Sequence, residues 1–353
     1  MTIEWSTWDD GFFMSKWQRP VRLQRRWQTT IDDYVIALSW SADGTALVAA
    51  SSSGPIAILA AADGRIVQHC SGHANGTTTV SCQPSGSLFA SGGQDGHLCL
   101  WNLETGQQIS RRPHGKGWIE RVVWSPRGKH LAMAAGKKLY CLDKSAQILQ
   151  TYEEHPSSIT DIVWSTQGDL LASSSYGGVR FFNVEQSACQ HYFAWQGAVQ
   201  KLAWSPDGTC IAGGALNASV HFWYYATGYD LEMTGYPRKV NELSWSADSR
   251  FLATGGGDTV MIWDCSGKGP AGSEPIPCEG HQQAISAVHF HHKVPLLAST
   301  CEGGSVFFWN SAANFKLCAQ AEMDQGISQF TWSPTQNLCA FGGDQGAVSV
   351  WYY

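Results

Sequence analysis

No stretch of this sequence is apolar for the 20 or so residues that a membrane-crossing helix needs. The most apolar window, Ala46–Ala62, is broken by Ser51–Ser53, Gly54 and Pro55 and reads as two strands and a turn. Sustained apolar periodicity of 3.6 residues is missing everywhere, which excludes a helical core. There is no C-x-x-C among the eleven cysteines. Cys82, Cys99, Cys141, Cys210 and Cys339 fall on apolar strand positions, where a thiol packs as a small hydrophobe. The odd count and this placement point to a reducing, cytoplasmic setting. Charged residues are only 15% of the chain, and the formal net charge is −6. That disfavours nucleic acid and anionic membranes as partners. Met1–Phe13 has three carboxylates and no basic residue, the reverse of a secretory leader. G-x-x-x-x-G-K-[ST], H-E-x-x-H and G-x-S-x-G are all absent, so no phosphate loop, zinc helix or nucleophile elbow is predicted.

What the chain has is repetition. The ten residues Val199–Gly208, V-Q-K-L-A-W-S-P-D-G, recur with variation at Val35–Gly44, Thr77–Gly86, Ile119–Gly128, Ile159–Gly168, Val240–Ser249, Ile285–Val294 and Ile327–Gln336. The landmark position holds Trp40, Cys82, Trp124, Trp164, Trp204, Trp245, Phe290 and Trp332, at steps of 42, 42, 40, 40, 41, 45 and 42 residues. An even period of this length signals a repeat architecture. Each copy reads as an apolar strand closed by a turn of Pro, Asp and Gly, then a second strand, a Gly-rich turn, a third strand that often ends in an aromatic, and a variable fourth strand. With 43% hydrophobic residues and 17 Trp, the material for a large core is present.

Gly72-His73, Gln94-Asp95-Gly96 and Trp101-Asn102 form a G-H…D-G…W-N pattern. Gly280-His281 with Trp309-Asn310, and Asp258 with Trp263-Asp264, are partial copies. In this the chain resembles the WD-repeat β-propellers, as an eight-repeat, bacterial-type member. The reading is an all-β, single eight-bladed propeller of four-stranded antiparallel blades over residues 21–353, behind an aromatic tail at 1–20. Seven blades is the rival count and would leave one repeat outside the ring. Eight repeats leave only seven intervening fourth strands, so the orphan strand Val21–Thr29 is expected to complete the last blade against Ala347–Tyr353, as the resemblance implies. Closure removes exposed strand edges.

His73, Asp95 and Trp101 match the family's structural hydrogen-bond network, with position 93, a glycine, where the family has serine. The His/Cys-rich stretch Cys278, His281, His289, His291, His292 and Cys301 raises the question of a metal site. About six strand residues at roughly 3.3 Å each separate His281 from His291, too far for one ion. No metal or other cofactor is therefore expected, with Cys278, His281 and His291 the nearest candidates.

The loops that precede the first strands carry Tyr34, His114, Lys116, Trp118, Trp195, Tyr236 and Arg238, and the turns between second and third strands add Tyr176 and Asp258. Both sets are expected on one face. Trp, Tyr and Arg in exposed loops are typical interface anchors. A partner-binding surface of Lys116, Trp118, Tyr176, Trp195, Tyr236, Arg238 and Asp258 follows. The expected function is that of a non-enzymatic scaffold, monomeric by itself, holding one or more proteins or peptides. The tail residues Trp5, Trp8, Phe12, Phe13 and Trp17 either pack on the ring or dock elsewhere. The second reading is a metal-handling or small-ligand-binding propeller.

Overall fold

The structure is a computed structural model and describes residues 20–115, 117–267 and 269–353. The aromatic tail and Lys116 lie outside the described residues. Every first strand ends at its landmark residue: Val35–Trp40, Thr77–Cys82, Ile119–Trp124, Asp161–Trp164, Glu242–Trp245, Ile285–Phe290 and Ile327–Trp332, with Trp204 ending the longer strand Cys189–Trp204. The turn that follows explains the stop. In the first repeat Asp43 Oδ1 accepts from Ser41 Oγ at 2.6 Å and from Thr45 N at 3.0 Å, and Gly44 takes φ +71°, a conformation open to glycine at little cost. The one helical turn among the described residues is Ser311–Ala313.

Sheets stand around an axis with the first strands innermost. These touch in chain order, and Ile327–Trp332 returns to pack on Val35–Trp40. The core lies between neighbouring sheets rather than within one. Val48, Ile56 and Ile58 of the first repeat are buried against Val80, Phe89 and Trp101 of the second. The landmark tryptophans bolt the sheets together: Trp164, Trp245 and Trp332 donate Nε1–H to the carbonyls of Val123, Ala203 and His289 in the preceding repeat, at 3.0, 3.1 and 3.1 Å. Each buried indole contributes roughly 2–3 kcal/mol through apolar burial.

The expectation of eight separate four-stranded blades is corrected. Hydrogen bonding gathers the described strands into seven sheets. The count drops without leaving a repeat outside the ring, because the fourth and fifth repeats share one six-stranded sheet. Leu170–Asn183 runs through the expected turn at Tyr176-Gly177-Gly178, whose glycines take φ +103° and +129° and stay beside the ladder. Cys189–Trp204 is the outer strand of the fourth repeat and, past a bulge at residues 195–197, the innermost strand of the fifth. The seventh repeat's sheet has five strands.

The fifth strand comes from the segment read as one strand over Val21–Thr29, which is two. Val21–Arg22 pairs in parallel with Lys316–Glu322, and Gln24–Thr30 pairs antiparallel with Ala347–Tyr352. Trp27 fixes the second of these. It is buried between the last and first repeats and donates Nε1–H to Ala61 O at 2.8 Å.

Candidate functional site

The loops before the first strands and the turns between second and third strands do share one face, and backbone bonds lace them together. Ser52 N donates to Tyr34 O, Gln94 N to Gly76 O, His114 N to Gly96 O, His155 N to Lys137 O, Leu216 N to Ala198 O and Arg238 N to Gly256 O. A loop whose amides are spent this way keeps its shape.

Beneath it, a side chain nine residues ahead of the landmark reaches into its own repeat. His73 Nε2 lies 2.7 Å from Ser91 Oγ, to which Trp101 Nε1 donates at 2.8 Å. The serine of this network is Ser91, not position 93, where a Cβ would collide with the His73 ring. His73 Nδ1 also meets Asp95 at 3.0 Å. Burial lowers the His73 pKa and outweighs Asp95. For Asp95, burial raises the pKa but is outweighed by His73, the His97 N–H and Arg111, so its carboxyl stays ionised. His281, Ser299 and Trp309 repeat the arrangement at 2.8 Å, and His155 meets Ser173 at 2.7 Å. This is a structural lock, with the imidazoles held neutral by burial.

Two residues read as partner contacts belong to this layer instead. Tyr236 occupies the histidine's place in the sixth repeat, and burial pushes its hydroxyl up to about 12. Trp195 occupies it in the fifth, where its half-buried ring lies 3.5 Å from that of His221. Trp118, Tyr176, Arg238 and Asp258 are exposed on the face itself, Trp118 at 53% and Tyr176 at 59%. Tyr34 is exposed at the far side, and His114 is half-buried against Tyr140.

Sequence reasoning missed Leu216, 52% exposed on the turn between Trp195 and Arg238. It also missed an acidic arc. Over the seventh, eighth and first repeats the same face exposes Asp32, Asp33, Glu279, Glu302, Asp324 and Asp344, none in an ion pair among the described residues. The face is thus uneven, with Trp118, Tyr176 and Leu216 over the third to fifth repeats and these six carboxylates over the seventh, eighth and first. The residue three before each landmark supplies a third feature, Arg121, Asp161, Lys201 and Glu242 on four consecutive innermost strands. Arg121 Nε meets Asp161 at 3.2 Å, and Leu202 N donates to the same carboxylate at 3.0 Å. Burial pushes Glu242 up to about 7 against the pull of Lys201 and Arg121.

Among the described residues no group of three His, Cys, Asp or Glu is placed to hold a metal ion. His281 is taken up by Ser299 and Ser305, His291 by Tyr353, and Cys278 is buried.

The family model described as WD domain, G-beta repeat matches residues 64–102, 146–183, 187–224, 230–264 and 273–310, more than half of the chain. The anaphase-promoting complex subunit 4 WD40 domain model matches residues 15–82. Small ribosomal subunit protein RACK1 of Caenorhabditis elegans is 36% identical over 89 residues, 25% of this chain and 27% of that one. Protein LST8 homolog of Drosophila pseudoobscura pseudoobscura is 26% identical over 133 residues, 35% of this chain and 41% of that one. Protein FIZZY-RELATED 1 of Arabidopsis thaliana is 29% identical over 132 residues, 35% of this chain and 26% of that one. The chain spans less than half the length of each of these relatives. All three are eukaryotic, which lends no support to a bacterial-type assignment. The crystal structure of the computationally designed Ika8 protein superposes with a TM-score of 0.80 at 21% identity, over 94% of this chain and all of that one, a likeness of fold.

Proposed function

We infer that this chain, which belongs to the WD-repeat family, is a non-enzymatic scaffold that holds a protein or peptide partner across its laced loop face. The observation that carries this reading is the exposure of Trp118, Tyr176 and Leu216 on a face whose loops are already fixed by their own backbone bonds. Apolar groups presented by a rigid frame are costly to hydrate and cheap to cover, because little conformational entropy is lost on binding. Arg238 and Asp258 supply polar contacts beside them. The acidic arc orients the partner by attracting its basic end, which favours encounter in one direction. The protein relatives named above point the same way, since one carries a ribosomal subunit in its name and a matched family model is that of a complex subunit. We place this activity in the cytoplasm and in residues 21–353 as a unit.

The test is affinity purification of the wild-type protein against a Trp118→Ala, Tyr176→Ala, Arg238→Ala variant at equal expression. Partners held by the wild type are expected to be lost from the variant. Retention of the same partners in the same yield rejects this surface.

A further inference from the structure

The fourth strand of a repeat leaves one edge of its sheet turned outward, with a row of amides and carbonyls open to a further strand. Most of these edges carry something that discourages pairing. Gln108–Pro113 has Arg111, Arg112 and Pro113, Asp230–Met233 has Asp230 and Glu232, and Gln24–Thr30 has Arg25 and Arg26. Ile276–Cys278 is three residues long with Pro277 at its middle. Ile66–Cys70 and Ile148–Thr151 are short, at five and four residues. The edge of Lys316–Glu322 is already covered, by Val21–Arg22.

The fourth repeat has none of these protections. Its outer strand is the first part of Cys189–Trp204. Residues 189–194 pair with 178–182 on one side. On the other side no described strand meets them, since Cys210–Ala215 takes only residues 199–204. Residues 186–200 contain no Asp, Glu, Lys, Arg or Pro. Gln190, His191, Tyr192 and Ala194 are exposed, Tyr192 at 49%.

This edge is also held firmly from within. The Phe193 ring lies 4.7 Å from that of Phe181 on the paired strand. The Tyr192 hydroxyl donates to Gly177 O at 2.6 Å, and the Arg180 guanidinium sits 4.9 Å from the Tyr192 ring. A strand fixed on its inner side loses little further freedom when its outer side is paired.

We propose that residues 189–194 pair edge to edge with the same strand of a second copy of this chain. Across a two-fold axis an antiparallel strand meets itself, so its sequence must tolerate its own side chains opposite. This one does: no charge faces a like charge, and His191, Tyr192 and Phe193 are brought together as aromatic cross-strand neighbours. A charged partner strand would find no counter-charge in it. The contact is small, since six residues at roughly 3.3 Å each span about 20 Å. It belongs with the small, transient interfaces, so the dimer is weak and forms as the protein is concentrated. The inference does not depend on the loop-face reading.

Sedimentation equilibrium and hydrogen exchange on the full chain, at a few micromolar and at several hundred micromolar, test it together. The mass is expected to move from monomer towards dimer, and amides within residues 189–194 to exchange more slowly only in the concentrated sample. Tyr192→Lys and Tyr192→Glu are each expected to stay monomeric, because like charges meet across the pair, and an equal mixture of the two to associate again. If either variant does not fold, the wild-type comparison still decides. A monomer at both concentrations overturns the proposal. Protected amides in that monomer would mean that the edge is covered within one chain, and unprotected ones that it stays open. A dimer whose slowed amides lie elsewhere, or a mixture no more associated than its components, overturns it too.

Discussion

The Tyr236 hydroxyl lies 2.7 Å from Thr254 Oγ1, at the place where, in the second and seventh repeats, a histidine meets a serine. Trp263 donates Nε1–H to that same hydroxyl at 2.8 Å. The sixth repeat thus keeps the lock with a different pair of residues. Tyr236→Phe removes one acceptor from a buried indole and one partner from Thr254. We expect a loss of about 1–3 kcal/mol, the cost of leaving a buried polar group unpaired. Chemical denaturation measures it, and Tyr236→His should recover part of the loss.

Closure of the ring rests on Gln24–Thr30 and above all on Trp27. Trp27→Ala empties a buried site between the first and last repeats and orphans Ala61 O. A loss of roughly 3–5 kcal/mol is expected. Deleting residues 1–30 also leaves Ala347–Tyr352 as an unpaired edge, so the truncated protein should melt lower and self-associate. An unchanged melting temperature would show that the ring does not depend on this strand.

His155 and His281 are both buried, and burial holds each at about 4, with Arg180 adding to the effect at His155. In the unfolded chain a histidine titrates near 6.5. The folded state therefore refuses protons that the unfolded state accepts. Stability from this source is full above pH 6.5, declines as pH falls from about 6.5 to about 4, and then levels off, by roughly 3 kcal/mol per histidine at most. His281→Gln should flatten the decline in urea midpoint over that range.

Glu242 runs the other way. Burial sets it at about 7 in the fold, against about 4.5 unfolded. Its contribution is present below pH 4.5 and is lost as pH rises through 7. Glu242→Gln should therefore raise the urea midpoint at pH 8 and change it little at pH 4.

Much of this architecture is legible in the residues. The landmark positions end their strands, and the second and third strands follow as separate strands in every repeat but the fourth. There Gly177-Gly178 looks like the turn that Gly-rich pairs mark elsewhere, yet the pair is absorbed as an irregularity in the ladder, which fuses two repeats into one sheet. Local glycine content does not reveal whether a chain leaves a sheet or only kinks within it. The site was less legible. Trp195 and Tyr236 have the composition of surface anchors, but they sit nine residues before a landmark, where the fold turns a side chain inward. Their position in the repeat, not their chemistry, decides their burial. The acidic arc escaped notice because its six carboxylates are scattered over more than 300 positions and meet only when the ring closes.

The central claim is that the laced face carrying Trp118 and Tyr176 is the surface that partners touch. A photo-crosslinking residue placed at 118 or 176 tests it directly, against one at Tyr229, which is 61% exposed on the turn between third and fourth strands at the other end of the fifth repeat. In cells, discrete crosslinked adducts should form from positions 118 and 176 and not from 229. Adducts from 229 alone would contradict the account.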